Sequence, residues 1–302
     1  LGMTVFNETI VLIFFMFVGV WLNKRGKYSP GANIYIGYLL TTVALPAAII
    51  NSFQVDKSDK LLIMMRQTAI YTFIMIVATL LITYLIATLF RKKEMLRSLW
   101  VVSLTFSNIL FIGIPIVGKL YGEVGLIVLV VCNTVTSLFL FTVGIMFLSN
   151  SREIRIRSIL TTPAILAAVV GFLLFMFGIK LPKPIHTFNV DLSIMTASLS
   201  MIINGSLFSQ VKLKELFFDK DNLQFLFVRA IIIPIIFIPI LKFFITDPII
   251  LGVLVLLASM PVGSLDAILA EEYAGEGTKV SQYIALTTVT SMVTLPIIMS
   301  LI

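Results

Sequence analysis

The sequence predicts an all-α integral membrane protein of ten transmembrane helices, arranged as two inverted five-helix repeats. Three observations predict it. Of 302 residues, 59% are hydrophobic and 12% charged, and the mean hydropathy is +1.08, outside the balance of soluble domains. Ten stretches approach the ~20 apolar residues that a helix needs to cross a bilayer. Motifs of the first half also return, in order, about half the chain later. Val18-Gly19, Gly26 and Pro30 recur as Val170-Gly171, Gly178 and Pro182, and Ile49-Ile50-Asn51 recurs as Ile202-Ile203-Asn204. Tyr121–Gly125 resembles Tyr273–Gly277, and Asn133–Ser137 resembles Thr287–Ser291.

The segments follow in order. The first, 4–22, lacks a basic leader and a small-residue cleavage site, so it is expected to be a retained helix. The second, 33–53, carries Leu45-Pro46-Ala47 and Asn51, and the third, 68–90, holds no proline. The fourth, 98–120, contains Ser107, Asn108, Gly113 and Pro115, and the fifth, 125–148, has Asn133, Thr134, Thr136 and Ser137 midway. The sixth and seventh, 159–178 and 190–209, carry Pro163 and Asn204. The eighth, 223–244, includes Arg229, Pro234 and Pro239. Pro261, Gly263, Ser264 and Asp266 lie in the ninth, 248–270, and Thr287, Thr288, Thr290, Ser291 and Pro296 in the tenth, 280–301. Every connection is too short for a soluble domain, so the chain divides into repeats 1–150 and 151–302. Five crossings in each half, an odd number, force opposite orientations on the halves. That inverted plan is the usual one of secondary transporters.

Of the 22 Lys and Arg, 14 fall in the loops after odd-numbered segments. The positive-inside rule makes those loops cytoplasmic and places both termini outside. The net charge of +7 therefore reflects topology and lipid headgroups, and no basic and aromatic patch stands clear for nucleic acid. The single cysteine, Cys132, excludes a disulfide framework and a cysteine metal site. His186 is expected in a solvated external loop, and Arg66 and Arg229 are expected to snorkel to an interface. Asn7-Glu8-Thr9 matches a glycosylation sequon, a short motif that decides nothing by itself.

Gly113 with Pro115, and Pro261 with Gly263, are expected to break the fourth and ninth segments in mid-span. Proline removes a backbone donor, and glycine tolerates an unwound backbone. Groups freed in hydrocarbon must face protein or a polar cavity. Ser107, Asn108, Asn133, Thr134, Ser137, Ser264, Thr288 and Ser291 gather at similar depth and are the candidate solute ligands, although hydroxyls in membrane helices often bond only their own backbone. Asp266 sits inside a span, where an unpaired carboxylate costs at least several kcal/mol. It is read as a proton carrier, as a ligand of a cation such as Na⁺ with Asn108 and Ser264, or as a structural carboxylate at a half-helix N-terminus.

These motifs resemble the auxin efflux carrier family, which includes the plant PIN carriers and many bacterial permeases. The matching features are Leu45–Ala47, Ser107-Asn108 with Gly113-Ile114-Pro115 and Tyr121-Gly122, and Thr161–Pro163. Further matches are Asn204–Leu207, Arg229 with Pro234, and Met260-Pro261 followed by Ala270–Tyr273. They run from the second segment to the ninth in the family's order. The resemblance implies a fold of the bile-acid-transporter-like superfamily. Segments 1, 2, 6 and 7 would form a scaffold with homodimer contacts through segments 2 and 7, and segments 3–5 and 8–10 a mobile transport domain. It also implies an organic-anion substrate, contacted by Asn108. Asp266 departs from the usual family pattern. In the sodium-coupled bile-acid branch an acidic residue of the ninth helix helps bind Na⁺, which implies ion symport here. The long hydrophilic loop of many plant members is absent.

The expected activity is elevator-type secondary transport of an auxin-like acid or a mono- or dicarboxylate, coupled to H⁺ or Na⁺ through Asp266, with no other cofactor. The alternatives are a solute sensor that uses the transporter fold, for which no output module is present, and a channel. An enzyme is not expected, because His-Glu-x-x-His, Gly-x-Ser-x-Gly and paired aspartates are missing. No ATP-binding loop is present either.

Overall fold

In the computed structural model, residues 2–26, 32–149, 161–210, 216 and 218–301 are described. Lys27, Pro30, Arg152, Arg155, Arg157, Lys212 and Lys214, on which part of the repeat and orientation reading rests, lie outside them. Among the described residues the fold is all-helical apart from one isolated antiparallel bridge.

The first half contains α1 (Gly2–Lys24), α2 (Ala32–Leu39), α3 (Leu45–Ser52), α4 (Asp59–Leu89), α5 (Glu94–Thr105), α6 (Ile109–Phe139) and α7 (Ile145–Ser149). The second contains α8 (Pro163–Met176), α9 (Lys183–Gln210), α10 (Lys220–Phe227), α11 (Ile233–Phe244), α12 (Pro248–Ser259), α13 (Ser264–Ala274) and α14 (Gly277–Ser300). Wider π turns join α2 to α3 (Leu40–Ala44), α6 to α7 (Leu140–Gly144) and α10 to α11 (Val228–Ile232). In the first and third of these, a proline follows at once, Pro46 and Pro234. A residue without an N–H cannot close the ordinary ladder, and the turn widens around it.

Among the described residues, five helices are long and apolar enough to cross a membrane: Tyr35–Ser52, Asp59–Leu89, Ile109–Ser149, Lys220–Phe244 and Gly277–Ser300. Shorter apolar helices cover Ile10–Lys24, Pro163–Met176 and Pro248–Ser259. Ile109–Ser149 is not one straight rod. A Cβ on Gly113 would lie 2.9 Å from a Leu129 methyl, whereas sixteen residues of continuous helix rise about 24 Å. The chain turns back at Gly122, whose φ of 61° and ψ of −152° are non-helical. Gly275, with φ 66° and ψ 21°, ends α13 in the left-handed helical region before α14 begins, sharing the positive φ of Gly122 but not its ψ. Gly26 and Gly178 are a second such pair, with φ of 64° and 66° just beyond α1 and α8. Both pairs fall within the repeated motifs, and only glycine adopts this backbone without a Cβ penalty.

The helices sort into two groups. In one, α9 packs on α1 and α3, and α3 packs on α8. The α1–α9 approach is close because small residues face backbone: a Cβ on Gly205 would lie 2.0 Å from the Met16 carbonyl oxygen, and one on Gly19 2.0 Å from that of Ile202. Such contacts let membrane helices pack by van der Waals attraction. Asn23 Nδ2 donates to the Ser206 carbonyl at 3.0 Å, and Asn189 Nδ2 to that of Ala47 at 3.0 Å. In the other group α4 packs on α5 and α6, α12 on α6 and α11, and α13 on α14 and α7. The groups meet where α1 lies on α14 and α6, and where α3 and α9 touch α6.

A polar and aromatic cluster ties the second group together at one end. Lys92 Nζ donates to Asp221 Oδ1 at 2.6 Å and to Gln224 Oε1 at 2.8 Å. Trp100 Nε1 donates to Asp221 Oδ1 at 3.0 Å, the Tyr283 hydroxyl donates to Asp221 Oδ2, and Lys279 Nζ lies 3.2 Å from Asp221 Oδ2. Phe225 stacks on Tyr283 with centroids 3.8 Å apart. The loop before α5 is thereby joined to the starts of α10 and α14.

Candidate functional site

Two chain breaks cross near the centre of the second helix group. The helix α5 ends at Thr105 and α6 begins at Ile109, while α12 ends at Ser259 and α13 begins at Ser264. The short linkers run antiparallel and pair through Ser107 and Val262. The Asn108 N–H donates to the Pro261 carbonyl at 2.9 Å, and the Gly263 N–H to the Phe106 carbonyl at 3.2 Å. The Val262 N–H donates to Thr287 Oγ1 at 3.2 Å. Each break thus satisfies backbone groups that the other leaves free, which makes an unwound stretch tolerable at membrane depth.

The ninth segment breaks where expected, at Pro261 and Gly263. The fourth does not. Its interruption is Phe106–Asn108, and Pro115 lies inside α6. Pairing with the other linker, not proline, opens this helix. Gly113 instead provides close approach, its α-carbon facing the Leu129 side chain and the Met260 methyl.

Arg229, expected at an interface, is buried with 2% exposure. Its guanidinium reads the ends of both first half-helices. Nε and Nη2 donate to the Met260 carbonyl at 3.0 and 2.6 Å. Nη1 donates to the Leu104 carbonyl, and Nη2 to Ser107 Oγ. Ser107 Oγ in turn donates to the Leu257 carbonyl at 2.9 Å. Helix C-termini carry partial negative charge, so two of them together solvate this cation. The sequence signal was an arginine in mid-span, and such a residue is a functional candidate by default.

Asp266, in the first turn of α13, is 1% exposed, and neither carboxylate oxygen has a hydrogen-bond partner among the described residues. The side chain folds back toward the break: a Cβ on Gly263 would lie 3.2 Å from Asp266 Oδ1 and 3.3 Å from the Ser107 carbonyl oxygen. Nearby, Asn108 (4% exposed) donates through Nδ2 to Ser264 Oγ at 3.2 Å. Ser264 donates onward to Asn204 Oδ1 of α9 at 3.4 Å. Sequence reasoning missed Asn204 as a site residue, although it stands in a repeated motif.

Ser107, Asn108, Pro261, Gly263, Ser264 and Asp266 are therefore brought together at the crossing. Thr288 and Ser291 line a small cavity between the helix groups, with Met16, Ile112 and Met201. Ser291 Oγ donates to the Thr288 carbonyl at 2.7 Å, while Thr288 Oγ1 is buried without a partner among the described residues. Thr134 Oγ1 donates to its own helix at the Val130 carbonyl, 2.8 Å away. Asn133 and Ser137 are half-buried on α6 and make no hydrogen bond to the crossing residues. Thr136, on the neighbouring face of α6, lines a second cavity with Thr79, Thr105, Ser107 and Arg229.

Two broken helices with converging ends, a buried cation on one side and an unpaired carboxylate on the other suit binding of a charged solute inside a membrane. No curated protein matches the sequence. A family model described as a membrane transport protein matches residues 4–299, nearly the whole chain, and the chain belongs to that family, the auxin efflux carriers.

Proposed function

We propose that this membrane transport protein is a secondary active transporter of a small organic anion, coupled to H⁺ or Na⁺ through Asp266. The observation that carries the reading is the pair of buried formal charges at the crossing, Arg229 and Asp266. With Asp266 ionised the two offset each other, and an incoming anion gains nothing. Once a proton or Na⁺ neutralises Asp266, the charge of Arg229 and the positive half-helix N-termini of α6 and α13 remain to favour an anion. Neutralisation also removes the cost, several kcal/mol, of carrying an unpaired carboxylate through a dry barrier. Ion and anion therefore travel together. A cation fits the orphaned carboxylate, which would hold it with Ser264 and Asn108 nearby.

Alternating access follows from the helix groups. The α1, α3, α8 and α9 group serves as scaffold, and the group holding the crossing moves against it in an elevator motion. Ten spans in two inverted repeats are supported by the Gly122 reversal, by the paired breaks, and by the equivalent positive-φ glycines in each half. Both termini would then face outward, and a homodimer would form through the second and seventh spans.

The test is uptake of labelled indole-3-acetate and succinate into proteoliposomes under an imposed pH or Na⁺ gradient. Uptake driven by one gradient, and no longer gradient-dependent in Asp266→Asn, supports the reading. Gradient-driven uptake that survives in Asp266→Asn removes Asp266 as the coupling group. Solute binding without uptake would favour a sensor.

A further inference from the structure

Asn204 has an arrangement that the coupling scheme does not use. It lies on α9, in the helix group away from the crossing, and is 6% exposed. Its Oδ1 accepts from Ser264, whose oxygen already accepts from Asn108. Ser264 has one proton, so the relay runs in one direction, from Asn108 to Ser264 to Asn204. It ends with both N–H bonds of Asn204 Nδ2 buried and, among the described residues, without an acceptor. Thr288 Oγ1 is likewise buried without a partner. An unmet buried donor costs about 1–3 kcal/mol, so two of them near one boundary call for an acceptor that arrives from outside the chain. The cavity between the groups lies within one helical turn of this relay. Ile112 lines it four residues after Asn108, and Met201 three residues before Asn204, with Thr288 and Ser291 opposite. Its other walls are methionine and aliphatic side chains, which suit an apolar body and offer nothing to a second carboxylate.

We infer that Asn204 is a specificity-determining residue of the solute site, supplied by the scaffold. Its amide takes an acceptor oxygen of a small acid whose apolar body lies against the cavity walls once the groups part, since the cavity as it stands holds about one water. Because Asn204 and Ser264 belong to different helix groups, the hydrogen bond between them is made in this arrangement and breaks when the groups slide. The contact therefore reports the position of the crossing as well as the identity of the solute. The inference rests on the organic-anion reading above.

The test uses purified full-length protein and its thermal stabilisation by hexanoate, succinate and hexylammonium. Ligands that bind the native state raise its melting temperature by mass action. Hexanoate should stabilise the wild-type protein, with succinate weaker. Its half-effective concentration should rise at least tenfold in Asn204→Ala and in Asn204→Asp, which lacks donors. Asn189→Ala, on the same helix but bonded to the Ala47 carbonyl, should leave it within about twofold. Asn204→Gln, which displaces the amide by one methylene, gives the same readout if the shorter side chains do not fold. An unchanged hexanoate concentration in the Asn204 variants, or an equal rise in Asn189→Ala, overturns the inference while the anion reading stands. No stabilisation by either acid, or stabilisation by hexylammonium alone, overturns both.

Discussion

Arg229 donates twice to the carbonyl of Met260, through Nε at 3.0 Å and Nη2 at 2.6 Å, and so holds the end of one broken helix. Through Nη1 it holds the other at Leu104. Removing the side chain would strand two buried carbonyls, each costing about 1–3 kcal/mol. Arg229→Met should therefore destabilise the protein by roughly 2–5 kcal/mol, with Arg229→Lys intermediate because an ammonium cannot span both ends. Chemical denaturation in detergent measures this, and wild-type stability in Arg229→Met would refute the clamp.

Asp266→Asn should behave in the opposite way. It replaces a buried carboxylate that has no hydrogen-bond partner among the described residues by a neutral amide of the same shape, and Arg229 keeps its carbonyl partners at Leu104 and Met260, so the melting temperature should equal or exceed that of the wild type. A large fall in melting temperature would mean that the carboxylate has a structural role.

Asp221 joins Lys92, Trp100, Tyr283 and Lys279 at the end of the helix group that carries the crossing. Asp221→Ala removes the carboxylate that Lys92, Lys279, Trp100 and Tyr283 share, leaving Lys92 with Gln224 and Lys279 with Asn222 and Asp219, and it should cost about 3 kcal/mol. The loss should appear in the folded fraction recovered from membranes. Recovery at the wild-type level would show that the cluster is not holding the loop before α5 to α10 and α14.

Pro115→Ala should be nearly silent, within about 1 kcal/mol, because the residue lies inside α6 and the break lies at Phe106–Asn108. Gly205→Ala should not be silent. Its methyl would meet the Met16 carbonyl oxygen at 2.0 Å, and overpacking of this kind costs about 1–3 kcal/mol or more. Comparing the two melting curves tests where the backbone tolerates change.

Much of the fold can be read in the residues because membrane physics leaves little choice. A run such as 68–90 must be helical to satisfy its own backbone groups, and α4 covers all of it but Phe90. The recurrent glycines mark places where the turn needs a positive φ, as at Gly122 and Gly275. Pro261 with Gly263 likewise marks a real break. Pro115 misled, since proline signals a missing hydrogen bond and does not say whether the chain unwinds there.

Composition and local chemistry determined the membrane class, the helices and the family, because apolar length, proline and glycine act through the backbone within a few residues. Tertiary structure decided the rest: that Ser107 pairs with Val262, that Arg229 turns inward to two helix ends, and that Asn204 reaches Ser264 from another helix group. Those relationships join residues more than thirty positions apart in sequence. Their energies depend on which buried donor finds which acceptor, and that is set only when the helices pack.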